Sequence, residues 1–366
     1  MSRPVNMAAA ATPGRDAEPS ATPYSGVAST ASVDFLMQPL AAFLAEPGVM
    51  EVVVNRPGEV FTETARGWQR HACEAVSVAH CLALAQAVAT YSAQQVDASR
   101  PVMSATLPGG ERIQFVVPPA VPMDSVSITI RKPSQVVRRL ADFEASGLFE
   151  RVVPQRRELL PHEEQLEQLL QQRRYADFFR QAVRTRQTII VSGQTGSGKT
   201  TFMKGLVEEI ATSERLITIE DAAELDLPHH PNSVHLFYSK GGQGVAQVSA
   251  KQLLESCLRM KPDRILLAEV RGEECFYVVR VAASGHPGSI TSLHAGSCAL
   301  AFEQMALMIR ESAGGAGLEL PEIKRLLTLV VDVVVQFGHD DQGRYIQEVY
   351  YDPARKQRVA CGEELA

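Results

Sequence analysis

Residues 193–200, GQTGSGKT, have the types and spacing of a loop that binds the phosphates of a nucleotide. Glycines in this loop let backbone N–H groups converge on phosphate oxygens, because glycine tolerates the dihedral angles required. Lys199 is placed to reach the β- and γ-phosphates, and Thr200 to ligate Mg²⁺. From residue frequencies, a chance match in 366 residues is expected about 1% of the time. The predicted site for ATP and Mg²⁺ consists of Gly193, Gln194, Thr195, Gly196, Ser197, Gly198, Lys199, Thr200 and Thr201.

Two carboxylates follow the loop in positions where hydrolysis needs them. Glu220 ends the apolar run LITIE, and Glu269 follows ILLA. Acids at strand ends are ordinary, because strand ends meet solvent. In α/β sheets, however, ligands bind at the carboxyl ends of the strands. Their order after the phosphate loop favours catalytic roles, in which one acid serves the metal and one orients water.

Two histidines, His286 and His294, flank the segment PGSITSL. A lone histidine is more often a core or surface group than a catalytic one, and metal ligation would need a third ligand nearby. Because His294 follows another predicted strand, it is placed to sense the γ-phosphate.

The elements around these residues alternate between strands and helices. Such alternation predicts a mostly parallel sheet with helices on both faces. Leu326 starts an apolar run to Phe337 that we interpret as a further buried strand. The alternating elements are strands at 188–192, 215–220, 264–269 and 289–293, and helices at 199–211, 249–260 and 273–283.

The first half of the chain predicts a smaller α+β domain with an antiparallel sheet. Its first helix would begin at Asp34, as N-cap, and end at residue 45. The expected domains are a disordered tail at 1–31, the α+β domain at 32–133, a linker at 134–162 and an α/β domain at 163–366. The other expected elements are strands at 51–55, 60–64, 102–107, 111–117 and 125–131, and helices at 77–91 and about 161–186.

Composition limits the function classes. The net charge of −6 argues against a general nucleic-acid binder, so no specific nucleic acid is expected. The six cysteines lack CxxC spacing, which indicates free thiols. No apolar run approaches the length of a membrane span, and the N-terminus is a poor secretory signal. We therefore expect a cytoplasmic protein that can still dock on a membrane surface.

Four segments together resemble the secretion-ATPase superfamily: GQTGSGKTT, ITIEDAAEL, LRMKPDRILLAEVRG and GHPGSITSLHAGS. They correspond in order to its Walker A, Asp box, Walker B and His box. The resemblance implies an ATPase with a RecA-like P-loop domain. Within the superfamily, the segments LPGGERIQFVVPP, SITIRKPS and LLPHEEQLEQLLQQRRYADFFRQAV most resemble the VirB-type traffic ATPases of type IV secretion systems.

That branch implies a homo-hexameric motor that powers substrate translocation or pilus assembly. Its partners would be inner-membrane secretion channel proteins, and it would lie peripherally at the cytoplasmic face of the bacterial inner membrane. The long linker resembles that of members in which the N-terminal domain swaps over the neighbouring subunit.

The resemblance also implies residue roles. Glu220 matches the Asp-box carboxylate, Glu269 the Walker B glutamate and His294 the His-box residue. Glu269 would act on Mg²⁺ through water or polarise the attacking water, a choice that the sequence leaves open. Arg112 and Arg131 match arginines that the first domain points at the nucleotide, although both also fit solvent-exposed strand positions. Arg271 fits a structural ion pair or an intersubunit contact.

Other functions compete with this reading. A type II secretion ATPase would carry a four-cysteine zinc module, which is absent from the sequence, and the LLPHEEQ linker counts against a pilus-retraction ATPase. A nucleotide-gated scaffold without useful hydrolysis is disfavoured because all four motifs look intact. A DNA-translocating motor is disfavoured by the acidic net charge.

Overall fold

The computed structural model describes residues 30–134, 136–153, 156, 158–239 and 244–363. Most of the predicted tail, residues 1–29, lies outside the described residues. The first helix begins at Ala31, inside the range predicted as tail, and its N-cap is Thr30. The prediction that Asp34 is the N-cap was therefore wrong, and Asp34 lies in the first turn.

An antiparallel sheet of six strands forms the first half, in the order β3-β2-β1-β6-β5-β4. The apolar sides of α1 and α2 pack on it around Leu40, Leu84 and Phe115. Strand β3 was missed, because its sequence GWQRHAC contains no apolar run and the strand lies at the sheet edge. The elements are α1 (Ala31–Ala45), β1 (Glu51–Val54), β2 (Gly58–Thr64), β3 (Gly67–Cys73), α2 (Val78–Tyr91), β4 (Val102–Thr106), β5 (Arg112–Val116) and β6 (Ser127–Arg131).

The connecting region holds three helices: α3 (Leu140–Ala145), α4 (Pro161–Gln171) and α5 (Tyr175–Arg184). The expected single helix over 161–186 was wrong, because Arg173 adopts a φ of +56° and ends the helical path. The break lets Leu166 of α4 and Phe178 of α5 enter the same apolar cluster.

The second half contains a seven-stranded sheet in the order β13-β12-β7-β11-β10-β8-β9. All neighbouring strands run parallel except β12 and β13. The elements are β7 (Ile189–Gly193), α6 (Lys199–Val207), β8 (Leu216–Glu220), β9 (Ser233–Phe237), α7 (Ala250–Cys257), β10 (Arg264–Leu267), α8 (Glu274–Ala283), β11 (Ile290–Leu293), α9 (Cys298–Glu311), α10 (Leu320–Val330), β12 (Val333–Asp340), β13 (Gly343–Tyr351) and α11 (Pro353–Ala360).

The predicted fold class is confirmed: an antiparallel α+β half precedes an α/β half with a mostly parallel sheet. The strand expected at 326–337 was wrong in its first part, where α10 continues to Val330. Buried Ile323, Leu327 and Val330 recur at helical spacing there, and the strand begins only at Val333. None of the helices in the described part of the chain combines the length and apolarity that a membrane crossing requires.

A buried arginine, Arg215, joins the two sheets. Its Nη1 donates hydrogen bonds to Oδ1 of Asn55 and Oδ1 of Asn232, each at 2.6 Å, and its Nε donates to the Met260 carbonyl at 2.9 Å. The guanidinium also lies over the ring of Trp68, 5.6 Å from its centroid. Burial lowers the pKa of Arg215 to about 10, so the side chain remains charged at neutral pH. Since Asn55 and Trp68 belong to the first half, this contact fixes one half against the other.

Further polar contacts widen that interface. They are Lys261 Nζ to Glu63 Oε1 at 2.8 Å, Gln114 Nε2 to Ser256 Oγ at 2.9 Å, Arg259 Nη1 to Ser104 Oγ at 2.8 Å and Phe237 N to the Ala120 carbonyl at 2.9 Å.

We expect Arg215→Met to lower the free energy of unfolding by about 3 kcal/mol, because it leaves Asn55 Oδ1 and the Met260 carbonyl buried without their donor. Urea denaturation followed by circular dichroism measures the loss. Arg325 is exposed, so Arg325→Met serves as the control and should change stability by less than about 0.5 kcal/mol. Equal urea midpoints for Arg215→Met and wild type would contradict the assignment.

Candidate active site

The phosphate-binding loop lies between β7 and α6, at the carboxyl edge of the parallel sheet. Gly198 caps α6 with a φ of +98°, a left-handed conformation that favours glycine. At Gly193 a Cβ would lie 2.9 Å from the Cβ of Phe337 on β12, so the close approach of these two strands requires glycine. The conformation of the loop therefore depends on packing against β12 as well as on the glycines of its own sequence.

The side chain of Lys199 folds back onto the phosphate-binding loop. Its Nζ donates hydrogen bonds to the carbonyls of Gly193, at 2.8 Å, and Gln194, at 3.0 Å. The residue is only 8% exposed, and burial lowers its pKa, against the opposing charge of Glu269. The ammonium group therefore has protein partners that phosphate oxygens can replace.

Glu269 and His294 meet at the same sheet edge. Glu269 follows β10 by two residues and His294 directly follows β11, and these strands are parallel neighbours. His294 Nε2 lies 2.6 Å from Glu269 Oε1, and His294 Nδ1 lies 3.5 Å from Lys199 Nζ. Arg271 Nη2 contacts the other Glu269 oxygen, and its Nη1 lies 3.1 Å from Asp221 Oδ2. A continuous polar chain therefore runs from Lys199 through His294 to Glu269 and Arg271.

The ionisation of Glu269 is set by opposing effects. Burial by itself raises its pKa, but the hydrogen bond and charge of Arg271, with smaller contributions from His294 and Lys199, bring the pKa below its usual value. The carboxylate is therefore ionised at neutral pH.

These groups line one cavity of about 350 Å³. Its lining residues are Thr195, Gly196, Ser197, Gly198, Lys199, Thr200, Thr201, Glu224, Ala268, Glu269, Arg271, Ser292, His294 and Arg344.

Glu220, predicted as a catalytic carboxylate, does not line this cavity. The side chain is fully buried, and both oxygens are engaged: Oε1 accepts from Thr218 Oγ1 at 2.6 Å, and Oε2 from the backbone N–H groups of Glu224 and Leu225, each at 2.7 Å. His235 Nδ1 lies 3.3 Å from Oε1. Burial raises the pKa of Glu220, but these hydrogen bonds outweigh it and lower the pKa.

Glu224 lies in the cavity instead. It is exposed, and its Oε2 accepts a hydrogen bond from Thr200 Oγ1 at 3.2 Å. Sequence reasoning missed it, although it follows Glu220 by four residues in the same motif. The buried carboxylate of Glu220 holds the turn that presents the exposed one of Glu224.

The structure does not bring Arg112 and Arg131 to the phosphate loop of the same chain. The two arginines face each other across β5 and β6 and line a separate cavity of about 620 Å³ with Glu51, Arg259 and Lys261. Burial raises the pKa of Glu51 to about 7, against the opposing charge of Arg131, whose Nε lies 3.5 Å from Glu51 Oε1. This second cavity is lined by an excess of positive charge.

The oxygen donors beside the loop fit magnesium bound together with a nucleotide. Thr200, Glu224 and Glu269 offer hard oxygen atoms, and Mg²⁺ is usually held by one or two carboxylates plus substrate phosphates. Within the described ranges, no three or more His, Cys, Asp or Glu side chains group as a metal cage. The donor set therefore suits a metal that arrives with phosphates.

The chain is similar to known proteins along most of its length. The family model for type II/IV secretion system proteins matches residues 36–362. The chain is 50% identical over 341 residues to the type IV secretion system protein VirB11 of Brucella suis, covering 92% of this chain and 94% of that protein. VirB11 of Bartonella quintana is 44% identical over 337 residues, covering 89% and 94%. The crystal structure of the Brucella suis VirB11 ATPase in complex with sulphate has a TM-score of 0.87 and covers 91% of this chain and 98% of that one.

Glu220→Gln should lower the free energy of unfolding by about 2 kcal/mol at pH 7, because an amide cannot satisfy the donors around both oxygens. The folded-state pKa of Glu220 lies below its usual 4.5, so the carboxylate stabilises the fold above about pH 4.5, and this stabilisation is lost as the pH falls through the folded-state pKa. The difference in free energy of unfolding between Glu220→Gln and wild type should therefore become smaller as the pH is lowered, as measured by urea titrations at a series of pH values. Glu224→Gln, at an exposed carboxylate, is the control and should leave stability within about 0.5 kcal/mol. A gap that does not change with pH would show that the charge of Glu220 contributes nothing.

Proposed function

Since this chain belongs to the type II/IV secretion system protein family, as a VirB11-type ATPase of a type IV secretion system, we propose that it hydrolyses Mg²⁺-bound ATP in the cavity beside residues 193–201. The observation that carries this site assignment is the meeting of Lys199, Thr200, Glu269 and His294 in one cavity at the carboxyl edge of the sheet. Parallel sheets of this kind bind ligands at that edge.

Each residue has a proposed task in the reaction. Lys199 exchanges the carbonyls of Gly193 and Gln194 for the β- and γ-phosphates. Thr200 and the carboxylate of Glu224 would hold Mg²⁺, and Glu269 would reach the metal through water. When bound, the metal neutralises phosphate charge as it develops.

Glu269 is placed to orient the attacking water, and His294 holds the Glu269 carboxylate in position. His294 lies between Glu269 and Lys199, so a γ-phosphate that draws Lys199 away changes the contacts of His294 as well. This supports a role for His294 in sensing the γ-phosphate. Glu220 acts on the reaction only through the turn that presents Glu224.

The arginines predicted to face the nucleotide are proposed to serve a neighbouring subunit. Arg112 and Arg131 line a cavity separate from that of their own phosphate loop, and the Arg215 contact holds the two halves in this arrangement. Guanidinium groups supply the positive charge that phosphoryl transfer requires in the transition state. A homo-hexameric ring in which each first half covers the next subunit's site would bring them there.

We further propose that the ring works at the cytoplasmic face of the bacterial inner membrane. Its partners would be the inner-membrane channel proteins of the secretion system, and closure of the subunits around ATP would drive substrate translocation or pilus assembly. No specific nucleic-acid partner is proposed, in keeping with the net charge of −6.

Glu269→Gln should reduce ATP turnover about 100-fold or more while ATP binding persists, because the amide cannot orient water as a carboxylate does. Lys199→Ala should lose both binding and turnover. Phosphate release and calorimetry measure the two properties, and Glu273→Gln, an exposed acid outside the cavity, is the matched control. Turnover in Lys199→Ala equal to wild type would remove the cavity from the mechanism.

Mixing two inactive proteins tests whether the arginines act between subunits. Subunits with Lys199→Ala and subunits with both Arg112→Ala and Arg131→Ala should each be inactive alone. In randomly mixed rings at equal amounts, an intact loop meets intact arginines at about a quarter of the interfaces, so about a quarter of wild-type turnover should return. Mixtures without turnover would place the arginines on their own subunit's site.

A further inference from the structure

The hairpin of β12 and β13 extends past the edge of the sheet beside the phosphate loop. The pairing of β12 with β7 ends at Phe337 and Gly193, but β12 continues to Asp340 and pairs onward with β13. Arg344 lies on this extension, opposite His339. Arg344 is 144 residues beyond Thr200 in the sequence, and the length of the hairpin brings it to the phosphate loop.

The stem of Arg344 lies against the phosphate loop. A Cβ at Gly198 would lie 3.3 Å from Cδ and 3.9 Å from Nη1 of Arg344, and Arg344 lines the same cavity as Lys199 and Glu269. Within the described residues, its exposed side chain makes no hydrogen bond or ion pair. Arg271, across the cavity, is held by Glu269 and Asp221. Arg344 is therefore free to bind a ligand, whereas Arg271 is engaged.

The sheet order supports an inference about which end of a nucleotide Arg344 would meet. Strands β11 and β10, which carry His294 and Glu269, lie on one side of β7, and β12 and β13 lie on the other. With the γ-phosphate beside Glu269, as proposed, the opposite end of the nucleotide would lie toward the side of β7 that carries the hairpin. A planar guanidinium packs well on the face of a base.

We propose that Arg344 is a nucleotide-binding residue that packs against the nucleoside of bound ATP or ADP rather than against the phosphates. This deepens the proposed function and rests on it, since it assigns a further contact in the same cavity. Gly198 then serves two purposes: it accepts the left-handed conformation and leaves room for the arginine stem.

The test compares ligands with and without a nucleoside. Calorimetry would measure the binding of ADP, a non-hydrolysable ATP analogue and inorganic tripolyphosphate, each with Mg²⁺. Arg344→Ala should weaken both nucleotides about tenfold and leave tripolyphosphate within about twofold of wild type. Arg344→Lys keeps the charge but loses the planar face, so it should remain weakened about threefold or more for nucleotides. Arg325→Ala, an exposed arginine outside the cavity, is the matched control.

Each other outcome identifies what has failed. Unchanged nucleotide binding in Arg344→Ala would overturn the assignment, and so would an equal loss for tripolyphosphate, which would make Arg344 a phosphate ligand. Either result leaves the proposed function intact if Lys199→Ala still abolishes binding. Wild-type protein that binds no nucleotide, or Lys199→Ala that binds as tightly as wild type, would overturn the proposed function and this inference with it.

Discussion

Parallel strands bring their carboxyl ends to one edge of a sheet, and the chemistry of this chain depends on that constraint. Strands β7, β10 and β11 deliver the phosphate loop, Glu269 and His294 to neighbouring positions, although about a hundred residues separate the first from the last. No one of these strands could position the side chains alone. The cavity exists because the hydrogen bonds between the strands set their order and register.

The buried charges around this edge fall into two groups with different purposes. Glu220 and Arg215 lie at the carboxyl end and just before the amino end of β8, and both are engaged by protein partners inside the fold. Lys199 and Glu269 have partners that a ligand can replace, namely loop carbonyls and neighbouring polar side chains beside the cavity. Buried groups that are hydrogen-bonded inside the fold stabilise one arrangement, whereas exchangeable partners permit binding. The same strand thus connects a structural contact between the halves to the edge where ligands bind.

Much of this organisation could be predicted from the sequence. The phosphate loop, the strand–helix alternation and the antiparallel first half follow from local patterns of glycine, apolar runs and turn residues. The strands themselves were found within one or two residues at β7, β8 and β11. Local patterns failed where tertiary context decides: the edge strand β3 contains no apolar run, and Arg173 breaks a region that otherwise looks like one helix.

The site was less predictable than the fold. A carboxylate at the end of a strand can face the ligand or turn inward, and the sequence does not distinguish these cases. Glu220 turns inward because Thr218, His235 and two backbone N–H groups surround it. Arg344 reaches the cavity through the length of a distant hairpin, for which no local signal exists.

The Arg215 contact also bears on how interchangeable the two halves are. Arg215 belongs to the second half, whereas the Asn55 amide that accepts its hydrogen bond and the Trp68 ring beneath it belong to the first half. A chimera that joined this second half to a first half lacking those side chains would leave the buried guanidinium with only the Asn232 and Met260 contacts of its own half. The halves are therefore compatible only as a matched pair, and recombination between relatives would have to exchange all of these residues together.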